Sequence, residues 1–355
     1  MSNTTVSLDY TTPTHTPALN THLTEQVAAA VAASKRANTL RAYRSDLAAF
    51  STWCAGNGLP ALPASPDTVA AYLADQVARG LKVTTVRRHL ATISKAHTLA
   101  GYSHERNPAT YELVKATLAG LRQTHGAAPD QAPGLTPDQL DMALTAISTA
   151  LPAAYGREQR PDLVGLRDRA LLVVGWCAAL RRSELAQLRW GQITWEAGGV
   201  VLLLEGSKTD KQGEGQKVGV AAEPDSVLCP VEALRAWQAA CEQRGVWRSG
   251  VWQSAVADDQ PVFRQVNKHG HLGAALSPHS VGAIISQRCA AVGLVGYTGH
   301  SLRRGLIQAA TLAGKEDSEI MRTSRHRSVT MLRKYQADAG LLEKAASRGL
   351  RGKQH

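Results

Sequence analysis

Four short segments of this 355-residue chain carry residue types that could act together on one anion. The first is Leu180-Arg181-Arg182-Ser183-Glu184-Leu185. Glu184 stands three residues after Arg181, where a helix would let it orient the guanidinium. Taken alone, the pair also reads as a surface ion pair. The second is Ser207-Lys208-Thr209, on a charged turn. A lysine there can serve as a point charge or a proton donor, or simply be solvated. The third, Gly299-His300-Ser301-Leu302-Arg303-Arg304-Gly305, sets His300 and Arg303 on one helix face. The fourth is Arg325-His326-Arg327-Ser328, with Tyr335 nine residues after His326 on the next of two successive helices. A tyrosine so placed is also a common core residue.

Helices must position these groups. Residues 163–180 read as the most apolar helix, ending in ALLVVGWCAAL, and Arg181 follows it directly. That run has 11 residues; a membrane span needs about 20. Helical spacing continues over 229–243, 278–292, 301–313, 316–323 and 328–336. Strands are predicted only after residue 195: 200–204 and 216–222, joined by the glycine-rich, charged hairpin EGSKTDKQGEG. PVF at 261–263 is ambiguous. The N-terminal half reads as helices alone, over 22–34, 37–55, 66–79, 84–100 and 109–124. Ser65-Pro66-Asp67 supplies a helix start.

Two prolines and two glycines in the ten residues 126–135 mark a linker. The predicted organisation is a tail over 1–20, a helical domain over 21–125, the linker, and a mostly helical α+β domain over 136–355 with a small sheet. The tail lacks the basic and apolar regions of a secretory signal. Five cysteines, none in a CxxC pair, argue against structural zinc or a disulfide framework and for a reduced, cytoplasmic setting.

The chain carries 40 Lys and Arg against 29 Asp and Glu, a formal charge of +11. Residues 21–130 hold 12 basic and 7 acidic residues, and residues 131–355 hold 28 and 21. Both halves are basic and neither has a long like-charge block. That pattern points to two folded domains sharing a polyanion such as nucleic acid. No GxxxxGK[ST] string is present, so nucleotide hydrolysis is not indicated.

The order Arg-x-x-Glu, hairpin Lys, His-x-x-Arg, His, then Tyr resembles the tyrosine recombinase (phage integrase) family. The resemblance covers most of the chain. The stretches ANTLRAYRSDLAAFSTWC and ARGLKVTTVRRHLATI make it Cre-like. It implies a mainly α fold: an N-terminal helical, SAM-like core-binding bundle and a C-terminal α+β catalytic domain with a small antiparallel sheet. It also implies site-specific recombination of duplex DNA through a 3′-phosphotyrosyl intermediate. Tyr335 would attack the scissile phosphate, which Arg181 and Arg303 would clamp. Lys208 would protonate the leaving 5′-oxygen, though Lys211 and Lys217 share its hairpin. His300 would help deprotonate Tyr335 or bond the phosphate, His326 would donate to the phosphate, and Glu184 would hold Arg181. No metal or other cofactor is implied. One departure is Arg325, where the family often has glycine, and it is read as tolerated. Arg182 and Arg304 read as phosphate or surface contacts.

The resemblance also implies DNA contacts. Thr84, Arg87, Arg88 and Lys95 line one side of a helix that would enter a major groove. Arg41 and Arg44 could reach backbone or bases, and His279 and Ser280 the groove from the other side. The bland alternative is a solvated basic face. Leu341, Leu342, Ala345 and Leu350 form a stripe that would dock on a neighbouring protomer. The implied assembly is a tetramer on two inverted-repeat sites, with strand exchange through a Holliday junction, in the cytoplasm at the nucleoid. No arm-binding segment is evident before residue 20, which favours a simple Cre- or Xer-like system. A topoisomerase, or a DNA-binding factor that keeps the fold without cleavage, are the rival expectations.

Overall fold

The structure is a computed structural model. It describes residues 37–126, 131–151, 160–205, 215–248, 251–337 and 339. The predicted tail, the helix over 22–34, the middle of the linker, the hairpin bearing Lys208 and Lys211, and the C-terminal stripe from Leu341 all lie outside the described residues. Two compact units divide at residues 130 and 131.

The first unit is helical throughout its described residues. Helix α1 spans Ala37–Gly56, α2 Pro66–Ala78, α3 Val83–Leu99 and α4 Glu112–His125. The Ser65 hydroxyl accepts from the Thr68 N–H, and Pro66 occupies the first turn of α2, where its missing N–H costs nothing. Helix α4 begins later than predicted. Asn107 accepts from the Ala109 N–H and donates to the Ser94 carbonyl, which closes Pro108–Thr110 into a separate 3-10 turn. Phe50, Tyr72, Leu73, Val86, Ile93 and Val114 fill the core.

The second unit is built around one buried helix. Helix α5 spans Pro137–Thr145, opened by a reciprocal Thr136–Gln139 capping box. Helix α6, Leu163–Cys177, is buried nearly all round, as an evenly apolar helix must be. A short helix, α7, follows over Arg182–Gln187. The sheet contains β3 (Ile193–Glu196), β4 (Gly199–Leu204) and β5 (Gln216–Ala221), all antiparallel, with Leu202 opposite both Ile193 and Val218. Helix α8, Pro230–Glu242, packs on α6, and its Trp237 indole donates to the Val262 carbonyl. Three further helices carry the chemistry-bearing segments: α10 (Gly299–Leu312), α11 (Asp317–Ser324) and α12 (Val329–Gln336), preceded by α9 (Pro278–Ala290).

Several strands escaped the sequence reading. A two-residue pair, β1 (Ala150–Leu151) with β2 (Arg160–Pro161), precedes residue 195, and β3 itself starts at Ile193. Hairpins β6 (Gly245–Arg248) with β7 (Val251–Ser254), and β8 (Arg264–Val266) with β9 (Leu272–Ala275), follow α8. Runs of two to four residues are too short to show alternation. Strand β8 also opens on a buried arginine, whose Nε bonds the Gly273 carbonyl at 2.8 Å. PVF forms only an isolated bridge, Arg189 to Pro261. Among the described residues no helix is long and apolar enough to cross a membrane.

Helix α10 lies against the segment entering α5. The Leu135 N–H donates to the Ser301 carbonyl at 3.0 Å, and the Trp176 indole donates to the Leu135 carbonyl at 2.8 Å. A β-carbon at Gly305 would overlap that same Leu135 carbonyl oxygen. Backbone on both sides cannot yield as a side chain would. Gly305→Ala is therefore expected to destabilise by about 1–3 kcal/mol, as overpacking does. Calorimetry should show a midpoint lower by at least about 2 °C; an unchanged midpoint would disprove the contact.

Candidate active site

The site forms where α6 gives way to α7. The chain turns through Ala178, Ala179 and Leu180, with Ala179 left-handed at φ 48. This strained turn aims two carbonyls at arginines from elsewhere in the unit. The Ala179 carbonyl accepts from Arg303 Nη1 at 2.8 Å, and the Ala178 carbonyl accepts from Arg325 Nη1 at 3.1 Å. Arg181 caps α7. Its N–H donates to Glu184 Oε2 at 2.8 Å and its Nη1 to Oε1 at 2.6 Å. The expected Arg181–Glu184 pair is therefore present, and it is partly buried rather than a surface bridge.

Arg303 is 1% exposed on α10. Besides Ala179, its Nη2 donates to the Ser324 carbonyl and lies 3.4 Å from His326 Nε2. No carboxylate bonds it among the interactions described. Burial, then Arg181 and Arg325 nearby, push its pKa down to about 9. The pocket is short of negative charge, which is the state an anion site should have before its ligand arrives.

His300 and Tyr335 meet across α10 and α12. His300 Nε2 lies 2.9 Å from the Tyr335 hydroxyl. Burial first, then Arg303, Arg181, Arg304 and Arg182, hold the His300 pKa below its ordinary value. A lowered pKa favours the neutral imidazole, whose lone pair can accept the phenol proton. The His326 ring lies 4.8 Å from the Tyr335 ring, tilted by 49°. It lies in the connection between α11 and α12, in the gap between the predicted helices, where the chain turns left-handed at Arg325. Its Nδ1 is 2.8 Å from the Ser324 hydroxyl, and burial and the neighbouring arginines push its pKa down to about 4.

Arg181, Glu184, His300, Arg303, His326 and Tyr335 are thus brought together by direct contacts or shared partners. Lys208 lies outside the described residues. Arg304 is buried, and its guanidinium bonds the Gln131 side-chain oxygen, so it is no surface contact. The Arg182 stem lies across Gly299 and Gly282, where a β-carbon would collide with it. Sequence reasoning missed Ala179, Ser324 and the part played by Arg325. A left-handed alanine or arginine leaves no mark in residue type, and only the departure from glycine at 325 gave a signal. Among the described residues no group of three or more His, Cys, Asp or Glu is placed to hold a metal ion.

In the first unit, Thr84, Arg87 and Arg88 are exposed on α3 and Lys95 is half-buried on the same side; Arg41 and Arg44 are exposed on α1. Arg88 is not loose. Its Nη2 reaches Asp46 at 2.8 Å, and Asp46 is 2% exposed and also accepts from Thr92. In the second unit, His279 is exposed at the start of α9, but Ser280 bonds the capping Ser277 hydroxyl at 2.9 Å, which gives it a local structural use.

Comparison with known proteins agrees with this arrangement. The model of the phage integrase N-terminal SAM-like domain matches residues 29–100, and that of the phage integrase family matches 135–340. An integrase/recombinase xerD homolog from Selenomonas ruminantium is 33% identical over 308 residues, covering 85% of this chain and 82% of that protein. The recombinase cre of Escherichia phage P1 is 25% identical over 154 residues, covering 43% of this chain and 42% of the other. Among solved structures, the XerH site-specific recombinase bound to a palindromic difH substrate superposes with a TM-score of 0.57 at 19% identity, over 81% of this chain and 73% of that one. With a helical SAM-like unit, a mostly helical unit carrying small antiparallel sheets, and a cluster of arginines and histidines beside a tyrosine, the chain belongs to the phage integrase family of tyrosine recombinases, enzymes that cut and rejoin DNA.

Proposed function

We propose that this protein is a site-specific recombinase that cuts duplex DNA with Tyr335. The observation that carries this reading is the Tyr335 hydroxyl, 2.9 Å from a neutral-leaning His300 and beside the anchored Arg303. A phenol with a pKa of about 10 is a poor nucleophile until a base takes its proton. His300 Nε2 accepts that proton as the Tyr335 oxygen bonds to phosphorus. The bond to the 5′-oxygen breaks, and Lys208 supplies that oxygen's proton, with Lys211 the alternative donor. The product is a 3′-phosphotyrosyl bond, which conserves the phosphodiester energy. Arg181 and Arg303 bind the non-bridging oxygens through planar forks. The bound phosphate raises the pKa of His326, so that Nε2 carries a proton and donates to the phosphate.

The domain over 21–125 binds DNA, with Arg87, Arg88, Thr84 and Lys95 toward a major groove, Arg41 and Arg44 along the backbone, and His279 and Ser280 of the domain over 136–355 adding contacts. Two inverted half-sites seat two protomers, and exchange between two sites requires four, passing through a Holliday junction. The C-terminal stripe Leu341, Leu342, Ala345 and Leu350 links neighbours in that tetramer. Side-chain cations do the electrostatic work, and the setting is the cytoplasm, at the nucleoid.

Fragmented DNA of the native replicon, incubated with the protein and denatured in detergent, should yield a covalent adduct enriched at an inverted-repeat site. A nicked suicide substrate built on that site should trap it. Absence of adduct on both would defeat the reading and favour a factor that binds without cutting.

Cleavage should also follow pH through His300. Its neutral form is the base, and its pKa lies below the usual value of about 6.5. The rate of adduct formation should fall with pH along a curve centred below about 6.5. A decline already centred above that value would exclude His300 as the base.

A further inference from the structure

Position 325 is unusual in two ways. Its backbone is left-handed at φ 58, a conformation disfavoured for any residue with a β-carbon and free for glycine. Its side chain is nonetheless buried, 6% exposed, charge included. The guanidinium donates to the Ala178 carbonyl at 3.1 Å, the Thr323 carbonyl at 3.0 Å and Glu184 Oε2 at 2.7 Å, with Ala179 at 3.4 Å. Its Nε has no partner among the described residues. Capping α11 would need only a glycine.

The Glu184 carboxylate is divided between two arginines. Oε1 takes Arg181 Nη1, and Oε2 takes Arg325 Nη2 together with the Arg181 N–H. Without Arg325, Glu184 would keep Arg181 as its one charged partner, with Oε2 on the Arg181 N–H and Oε1 on Nη1. It would then occupy the guanidinium that a phosphate needs, and cancel its charge.

We propose that Arg325 is a positioning residue of the phosphate site: it takes up Glu184, and so leaves the charge and the outer N–H groups of Arg181 available to DNA. Braced on the Ala178–Ala179 turn, it also steadies the carbonyl that anchors Arg303. Burial and the neighbouring Arg181 hold its own pKa below the ordinary value, with Glu184 opposing that shift. The proposal rests on the cleavage reading above.

The test is single-turnover cleavage of a nicked suicide substrate at saturating protein, with DNA affinity and thermal midpoint measured beside it. Arg325→Met removes the charge at similar bulk, Arg325→Lys keeps it, and Arg325→Gly removes the left-handed strain. Met and Gly variants should cleave about 10–100-fold more slowly, as loss of an outer partner typically does, with unchanged affinity. The Lys variant should recover most of the rate. Arg325→Met combined with Glu184→Gln should be no slower than Glu184→Gln alone, since the carboxylate to be neutralised is gone. Wild-type rates in the Met and Gly variants would overturn the proposal. So would equal losses in Met and Lys, multiplying losses in the double variant, or unfolding of both Met and Gly variants, which would make the role structural. Failure of the unsubstituted protein to cleave would instead defeat the cleavage reading itself.

Discussion

Tyr335→Phe is expected to abolish covalent adduct while leaving the bound protein–DNA complex intact. The substitution deletes one oxygen. That oxygen is hydrogen-bonded to His300, and the ring keeps its tilted contact with His326 and its packing beside Ile307, Ile320 and Leu332. The fold and the anion pocket therefore lose little. The reaction loses its nucleophile. Loss of a group that forms the covalent bond should lower cleavage by more than about ten-thousand-fold. Denaturing gels of a suicide substrate would measure this, with gel shifts run in parallel for binding. Adduct persisting at a tenth of the wild-type level would show that another residue attacks. A loss of binding equal to the loss of cleavage would show that Tyr335 is a DNA contact and not the nucleophile.

The site was more legible in the sequence than the strands were. Arg181, Glu184, His300, Arg303 and Tyr335 sit on or beside helices whose apolar spacing is strong, so their supports were predictable. α6 was readable because a helix buried all round is apolar all round. The short hairpins were not, because two to four residues carry too little periodicity, and Arg264 breaks the apolar pattern at β8. His326 falls between the predicted helices 316–323 and 328–336, but the turn that holds it there is not predicted. Its loop depends on a left-handed arginine, and residue type gives no warning of that conformation. The same limit hid the Ala178–Ala179 turn. Alanine promotes helix, yet Ala179 ends α6 left-handed in a local closure, with the Leu180 N–H on the Gly175 carbonyl and the Ala179 N–H on the Trp176 carbonyl. The arginines that bond the Ala179 carbonyl lie 124 and 146 residues away. Asp46 was missed for a similar reason. It lies 42 residues from Arg88, and nothing local marks it as the group that holds a DNA-facing arginine.

Arg303→Lys should be the most damaging conservative change in the pocket. Arg303 uses one planar fork for two separate tasks. Nη1 is fixed on the Ala179 carbonyl and Nη2 on the Ser324 carbonyl, which sets the plane of the guanidinium before any DNA arrives. Pre-set orientation is what makes such a donor effective in a transition state, because no reorganisation is needed as charge develops. Lysine keeps a positive charge but offers a point rather than a plane. An ammonium that bonds one carbonyl cannot reach the other and the phosphate in the same geometry. At least one of the two carbonyls loses its bond to residue 303, and the His326 contact on the same Nη2 loses its reference. Burial that already pushes the Arg303 pKa down to about 9 would act more strongly on a lysine, whose ordinary value is about 10.4, and would favour its neutral form. Loss of aim and loss of charge therefore act in the same direction. Single-turnover cleavage should fall by about a thousand-fold, and raising the protein concentration should not restore it, because the deficit lies in the chemical step. Lowering the pH should recover part of the rate as far as the lysine regains its proton, until His300 begins to protonate in turn. A variant cleaving within tenfold of wild type would show that charge alone suffices, and that the carbonyl-braced plane of Arg303 is not what stabilises the reacting phosphate.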